Sequence, residues 1–502
     1  MCKIMEGDMR YPNSYDATNP KSIEEYGQKM LGRSFRDIHE QSCLFDNAPM
    51  VKEARASYAV AHAAKSYKGG MGNLIEECFF GYKANNSPEP DFPLAGVELK
   101  VTPYKVNDGK YTAKERLVLT MIDYFSVVNE TSFENSHLWK KSQLLLLVWY
   151  LYQKEHNTLD NIIGFVRLFS PPPADLQIIK SDYNKIIQKI RDGKAHELSE
   201  GDTLYLGACT KSATSADRRK QPYSTEPAKP RAFSFKNKYM TYVLNHYIRP
   251  GVTTYEPIIK EESPVTEFEK YVVDKISEYK GLDKAALLDR LNIPEEQRKA
   301  KNIMSVLAFR MLGVKSNQAE EFEKAAISVK TIRINKNGKI KENMSFPPFK
   351  FDELANEEWE DSTFGNMLRE TKFFFVVYKE NAVGDYLLTG CQFWNMPYND
   401  IETDVKKVWE TTRDIIKNGQ ITISIENNKV KNNFPNQSDN RVSHVRPHGQ
   451  NRNDMYYLPY GTKLTVKETD GSFDWPDVTK YTKQCFWLNN SYILEQLNDD
   501  LK

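Results

Sequence analysis

A chain of 502 residues is longer than one ordinary core accommodates, so two or three domains are expected. Its 69 basic and 68 acidic residues leave a net charge of +1, which by itself says nothing about nucleic acid, while a hydrophobic share of 40% and an aromatic share of 12% exclude wholesale disorder. The six cysteines, at 2, 43, 78, 209, 391 and 485, form no CxxC pair, which argues against a zinc site or a disulfide framework and suits a reducing compartment.

In chain order, the N-terminal stretch MCKIMEGDMRYPNSYDA lacks the apolar core that a signal peptide needs. The first sixty residues read as mainly helical and polar, as in IEEYGQKMLGRSFRDIHE. From Lys68 to about Pro250 helix, strand and loop signals interleave. The longest apolar stretch, Leu144 to Leu151, reads as a buried strand and is far too short to cross a bilayer. A soluble, cytoplasmic protein with no membrane partner is expected. Within 211–250 lie Lys211, Arg218, Arg219, Lys220, Lys229, Arg231, Lys236, Lys238 and Arg249 against only Asp217 and Glu226, a candidate phosphate-binding surface that could equally be a solvated loop. The segment RPGVTTYEPIIKEESPVTE, rich in Pro, Thr and Glu, is the best linker. After it the chain again starts helical and turns to strand signals. The expected fold is α/β, mixed sheets flanked by helices, with one domain over 1–250, a linker over 251–265 and a second domain over 266–502. No P-loop or GxGxxG motif appears, so chemistry on ATP or NAD has no support.

The two halves repeat one another. GNLIEECFFGYKANNSPEPDFPLAGVELKVTPY (72–104) aligns with SVLAFRMLGVKSNQAEEFEKAAISVKTIRI (305–334), allowing one short gap. In each, a glycine (Gly81, Gly313) ends an apolar helical run, a polar loop leads to an acidic residue followed by Phe, and a lysine (Lys100, Lys330) sits nine residues beyond the acid. Downstream, HLWKKSQLLLLVWY echoes NMLRETKFFFVVY and YNKIIQKIRDGK echoes VWETTRDIIKNGQ, which indicates a duplication with a period of roughly 230 residues.

The strand GVELKVT places Glu98 and Lys100 on one face, because side chains two apart share a face, with Asp91 on the approaching loop. Asp91 and Glu98 supply the hard oxygen donors that Mg2+ prefers, Glu76 before Gly81 offers a third carboxylate, and Lys100 can hold and polarise an attacking water. The D…ExK spacing alone is weak, since many surface strands carry it. The longer pattern is specific: KGGMGNLIE (68–76), SPEPDFPLAGVELKVTP (87–103), SHLWKK (136–141), KAHELSEG (194–201), QPYS (221–224), FKFDELANEEWEDS (349–362) and HVRPH (444–448).

Together these passages resemble the MutH-type branch of the PD-(D/E)xK nucleases, and within it the two-domain type II restriction endonucleases that cleave GATC. The resemblance implies metal-site carboxylates at Glu76, Asp91 and Glu98, active-site lysines at Lys100 and Lys141 with Lys140 beside the latter, a DNA-contacting lysine at Lys68 on a mobile loop, and a sequence-reading lysine at Lys211. Arg218 and Arg219 join these as DNA-binding candidates from the basic run. Where MutH has an arginine-proline pair and an adenine-sensing tyrosine, this chain has Cys209-Thr210 and Ser234, so its response to adenine methylation is open. His137 reads as structural, Ser212 and Ser215 as part of a flexible loop, and CFWLNNSYIL (485–494) as core packing. Mg2+ as cofactor, double-stranded DNA as partner, self-association on DNA, and a cognate DNA methyltransferase in the same system but not as a physical partner are all implied.

In the second copy Glu76 becomes Ala308, Asp91 becomes Glu321, Glu98 becomes Ser328 and only Lys100 persists, as Lys330. Alanine and serine cannot neutralise a divalent cation. Yet Arg446-Pro447, flanked by His444 and His448, stands where the first copy has Cys209-Thr210, which suggests DNA binding through Arg446 and His448 without cutting. The resemblance implies an allosteric role for this domain; a domain that only buttresses the first is the plain alternative. For the whole chain, a mismatch-repair nickase and a non-catalytic DNA-binding regulator are the rival functions.

Overall fold

The computed structural model describes residues 15–44, 70–84, 87–153, 156–212, 214, 216–249, 255–259, 267–472 and 474–502. Lys68, Ser215 and most of the expected linker lie outside these residues. The chain divides into two compact units, Met1–Tyr255 with Glu323–Ala325, and Glu256–Phe322 with Ala326–Lys502. No helix of the described residues is long and apolar enough to cross a membrane.

In the N-terminal unit, helices Pro20–Gly27 and Phe35–Leu44 precede helix Gly70–Leu74, which continues without a break into a π-helical turn, Ile75–Phe80. The main sheet joins β1 (Glu98–Asn107), β2 (Lys110–Ala113), β4 (Leu145–Leu151) and β5 (Ile163–Phe169) in the order β2-β1-β4-β5; β3 (Leu117–Met121) belongs to a second sheet. The apolar run read from the sequence as a buried strand is β4, with Leu145 through Trp149 wholly inaccessible. Such a run suits a strand covered on both faces, and β4 does lie parallel to β1 and antiparallel to β5. Helix His137–Ser142 leads into β4; Ser136 caps it, its hydroxyl oxygen accepting from the Trp139 amide. A core of Leu74, Ile75, Phe80, Phe92, Val97 and Leu146 packs the π turn against the start of β1.

The second sheet orders β3, β9 (Arg231–Phe235) and β6 (Leu206–Thr210) as β3-β9-β6. The long helix Pro173–Arg191 braces it: buried Asp182 accepts the amides of Leu204, Tyr205 and Leu206 at 2.6–3.0 Å, which holds the entry to β6. Strands β7 (Arg219–Gln221) and β8 (Ser224–Ala228) form a small hairpin beside it.

The C-terminal unit repeats this plan. Strand β10 (Ile327–Ile334) runs parallel to a later strand, Lys372–Glu380, which is in turn antiparallel to Tyr386–Trp394. The registers superimpose: Glu98 and Lys100 face Leu145 and Leu147, and Ser328 and Lys330 face Phe373 and Phe375. Gly81 and Gly313, which end the two preceding helices, both have φ of 78°. Likewise Ser443–Pro447 pairs with Gln484–Leu488 as β6 pairs with β9, setting Arg446 opposite Cys485 where Cys209 is opposite Ala232. The expected α/β architecture in two tandem copies is therefore present, and the repeat offset of 230 read from Glu98 and Ser328 is a structural one.

Candidate active site

Three segments meet at the N-terminal end of β1. The π turn carries Glu76, the loop before β1 carries Asp91, and β1 itself carries Glu98 and Lys100. The wide turn matters, because a π segment inserts a residue and so changes which side chain faces inward. Burial first, then the Asp91 and Glu98 carboxylates, push the Glu76 carboxyl up to about 7. Asp91 accepts the Leu99 amide on Oδ2 at 2.8 Å, which pins the loop to β1. Burial, followed by the charge of Glu98, raises its carboxyl too, against the opposing pull of the Leu99 hydrogen bond and of Lys100 and Lys141.

Glu98 is buried, with only 3% exposed. Its Oε1 accepts from Lys100 Nζ at 2.8 Å and from Lys141 Nζ, on the last turn of helix His137–Ser142, at 3.4 Å. Its Oε2 is shielded and has no hydrogen-bond partner among the described residues. Thus Glu76, Asp91, Glu98, Lys100 and Lys141 are brought into one electrostatic cluster. The structure separates Lys140 from its neighbour: Lys140 is exposed, whereas Lys141 turns inward. No three His, Cys, Asp or Glu side chains among the described residues form a ready metal cage; Glu98 Oε1 is occupied by the two lysines. His137 supplies the first turn of its helix and its amide donates to Glu130 at 2.8 Å, a structural position.

Of the basic residues in 211–250, Lys211, Arg218, Arg219, Lys220 and Lys238 are exposed. Arg231 and Lys236 are buried and satisfy the carbonyls of Ala208 and Thr203, and Arg249 stacks on Tyr111 with its guanidinium carbon 3.5 Å from the ring centre. The candidate phosphate-binding surface is therefore smaller than the raw charge excess, because three of the cations hold the fold.

In the C-terminal unit, the residues in the equivalent positions do other work. Ala308 is buried. Glu321 turns to the first residues of the unit, accepting the amides of Ile258 and Ile259 at 2.9 and 3.0 Å. Burial lowers the Lys330 ammonium below its ordinary range. The strand register puts Arg369 at the position of Lys141, and Arg369 is paired with Glu402 at 2.9 Å and laid over Trp359. Arg446 and His448 are exposed, with the Arg446 guanidinium 5.2 Å from the Trp487 ring centre and His448 edge-on to it at 5.6 Å. His444 is buried and bonded to Asn489 at 2.6 Å. Most of CFWLNNSYIL is core, as Cys485, Phe486, Leu488, Tyr492 and Ile493 are all buried; Trp487 alone of its aromatics is part-exposed beside Arg446. Sequence reading missed Trp487, and also Tyr82, whose hydroxyl is shielded beside the acid cluster.

A parallel strand pair and an antiparallel neighbour, with an Asp seven residues ahead of Glu-x-Lys at the start of β1, make this a restriction-endonuclease-like fold with the side chains of a nuclease. Comparison with known proteins is specific. The family described as DNA mismatch repair enzyme MutH matches residues 80–182 and again 312–420, one match in each copy. The type II restriction enzyme Sau3AI of Staphylococcus aureus is 39% identical over 465 residues, spanning 87% of this chain and 93% of that protein. The DNA mismatch repair proteins MutH of Vibrio campbellii and Shewanella baltica are 26% and 28% identical, covering 45% and 38% of this chain but 93% and 85% of their own lengths. A whole MutH chain thus corresponds to about half of this one. The chain belongs to the family of MutH-related type II restriction enzymes.

Proposed function

We propose that the chain is an endonuclease that makes double-strand cuts in DNA at 5′-GATC-3′ by hydrolysing phosphodiester bonds with Mg2+, and that its N-terminal unit does the cutting. One observation carries this reading: a buried carboxylate, Glu98, salt-bridged through one oxygen to two lysines and held beside two further carboxylates whose protons are favoured by burial and mutual repulsion. Those residues fit a divalent cation. They are hard oxygen donors, one of them, Glu98 Oε2, is shielded and without a partner among the described residues, and their repulsion is what a dication relieves. Asp91 and Glu98, with Glu76, would hold the ion, which supplies charge stabilisation at the phosphate and the leaving oxygen. Lys100, anchored on Glu98, orients and polarises the attacking water, and Lys141 places a second ammonium against the negative charge that grows on the phosphate. Lys140, Lys211, Arg218 and Arg219 are exposed and suited to the DNA backbone, and Lys68 keeps that role on the strength of the motif alone. The GATC site rests on the motifs that resemble GATC-cleaving enzymes.

The C-terminal unit keeps only one of the three carboxylates, Glu321, which is engaged by the Ile258 and Ile259 amides, and presents Arg446 and His448 on its surface, which supports DNA binding without cleavage; the allosteric role rests on the resemblance. With one cutting centre, double-strand scission needs two chains on one palindrome, hence self-association on DNA, or two successive nicks. A plasmid digestion with Mg2+ and with EDTA tests the reading. Linear fragments only with Mg2+, with ends that sequence to GATC, are expected; open circles would indicate a nickase and unchanged DNA a binding protein. Glu98→Ala or Lys100→Ala should lower cleavage by about 10³-fold or more while DNA binding persists.

A further inference from the structure

Tyr82 directly follows Gly81, the left-handed residue that closes the π turn. Its amide donates to the Glu76 carbonyl at 3.1 Å, so it is tied to the turn that carries Glu76. Its ring stands edge-on to Phe92, centroids 5.3 Å apart at 79°, and Phe92 is the chain neighbour of Asp91. The side chain is therefore wedged between the two segments that deliver Glu76 and Asp91. Its hydroxyl is shielded from water and has no hydrogen-bond partner among the described residues. Burial, then the charges of Asp91 and Glu76, push the phenol well above its ordinary range, so the O–H remains a donor at any working pH. Nothing in packing requires a hydroxyl there, since a phenylalanine would meet Phe92 equally well.

The donor thus stands between the turn that carries Glu76 and the loop that carries Asp91, and bonds to neither carboxylate among the described residues. Of the two Asp91 oxygens, Oδ2 receives the Leu99 amide. We propose that Tyr82 is a positioning residue for the divalent-ion site, its hydroxyl turning to donate to the Asp91 carboxylate when the ion binds, so that donors on both oxygens fix the orientation in which that carboxylate meets the ion. This inference rests on the acid cluster being a divalent-cation site. Such outer partners orient metal-binding side chains and are commonly needed for full affinity.

The test is Tyr82→Phe in the full chain, which keeps the ring on Phe92 and removes only the hydroxyl. Titration calorimetry with Mn2+ on DNA-free protein, beside the parent and Asp91→Ala, is expected to show the dissociation constant of Tyr82→Phe raised about 10-fold. The Mg2+ concentration for half-maximal cleavage should rise in parallel, with little change in the thermal midpoint. Equal Mn2+ affinity in Tyr82→Phe and the parent, with binding lost in Asp91→Ala, overturns the role of Tyr82 and leaves the ion site standing. A lowered thermal midpoint at unchanged Mn2+ affinity overturns it in the same way, by assigning the hydroxyl to folding. A parent that binds no Mn2+, or binds it as well as Asp91→Ala does, overturns both readings.

Discussion

Glu98 Oε1 accepts two ammonium groups while Oε2 is shielded and unbonded among the described residues, so the site has its positive charge on one side of the carboxylate. Glu76 responds to this crowding most visibly. Its carboxyl, normally near 4.5, is pushed up to about 7 by burial and then by Asp91 and Glu98. A carboxyl raised in the folded state contributes stability that is fully present below about 4.5 and is lost as pH rises through about 7. Metal-free protein should therefore lose up to about 3 kcal/mol across that window, and Glu76→Gln, which cannot ionise, should flatten that part of the curve in urea melts taken at successive pH values. A variant with the parent's slope would remove Glu76 from the cluster. At this scale the Asp91, Glu98 and Lys100 spacing was legible because a strand's two-residue period is rigid. Lys141 was reached only through the family motif, since no local period links it to β1. Tyr82 was not legible, because its role depends on a turn geometry that residue types do not encode.

At the level of elements, the lysine helix and the π turn aim the site. Ser136 is wholly buried; its hydroxyl accepts the Trp139 amide and donates to the Phe133 carbonyl, fixing where helix His137–Ser142 begins and so where Lys141 ends up. Ser136→Ala should cost about 1–2 kcal/mol in denaturant unfolding and also slow cleavage, through a misplaced Lys141. Destabilisation with undiminished cleavage at low temperature would separate the cap from the site. The strands of both copies could be read from LLLLVWY and FFFVVY, because runs buried on both faces have few alternatives. The basic run could not be read correctly from charge alone: Arg231 and Lys236 answer buried carbonyls of the second sheet, and only the fold reveals those acceptors.

For the whole molecule, two copies of one plan have diverged in what they present. If the C-terminal unit contacts DNA phosphates through Arg446, then Arg446→Ala should weaken binding across sequences and lower the log–log salt slope by about 1, measured by anisotropy over a salt series. An unchanged slope and affinity would remove that unit's DNA role. A plasmid carrying two recognition sites should be cut faster than one carrying a single site if both units engage DNA, through effective concentration. The duplication itself was readable, since the glycine, the acid-Phe pair and the lysine keep their spacing in both halves; the fates of Glu321 and Arg369 were not, because their new partners are distant in sequence.

Glu321 turns that divergence into a ratchet. Its two oxygens now brace the amides of Ile258 and Ile259, so the lone surviving acid of the old constellation has become part of the scaffold. Reinstating glutamates at Ala308 and Ser328 would still leave the third acid engaged elsewhere and Arg369 bound to Glu402. If that copy does not cut, a glutamate at buried Ala308 or half-buried Ser328, taken singly, adds desolvated charge without any return in activity, so no single repair leads downhill to cutting.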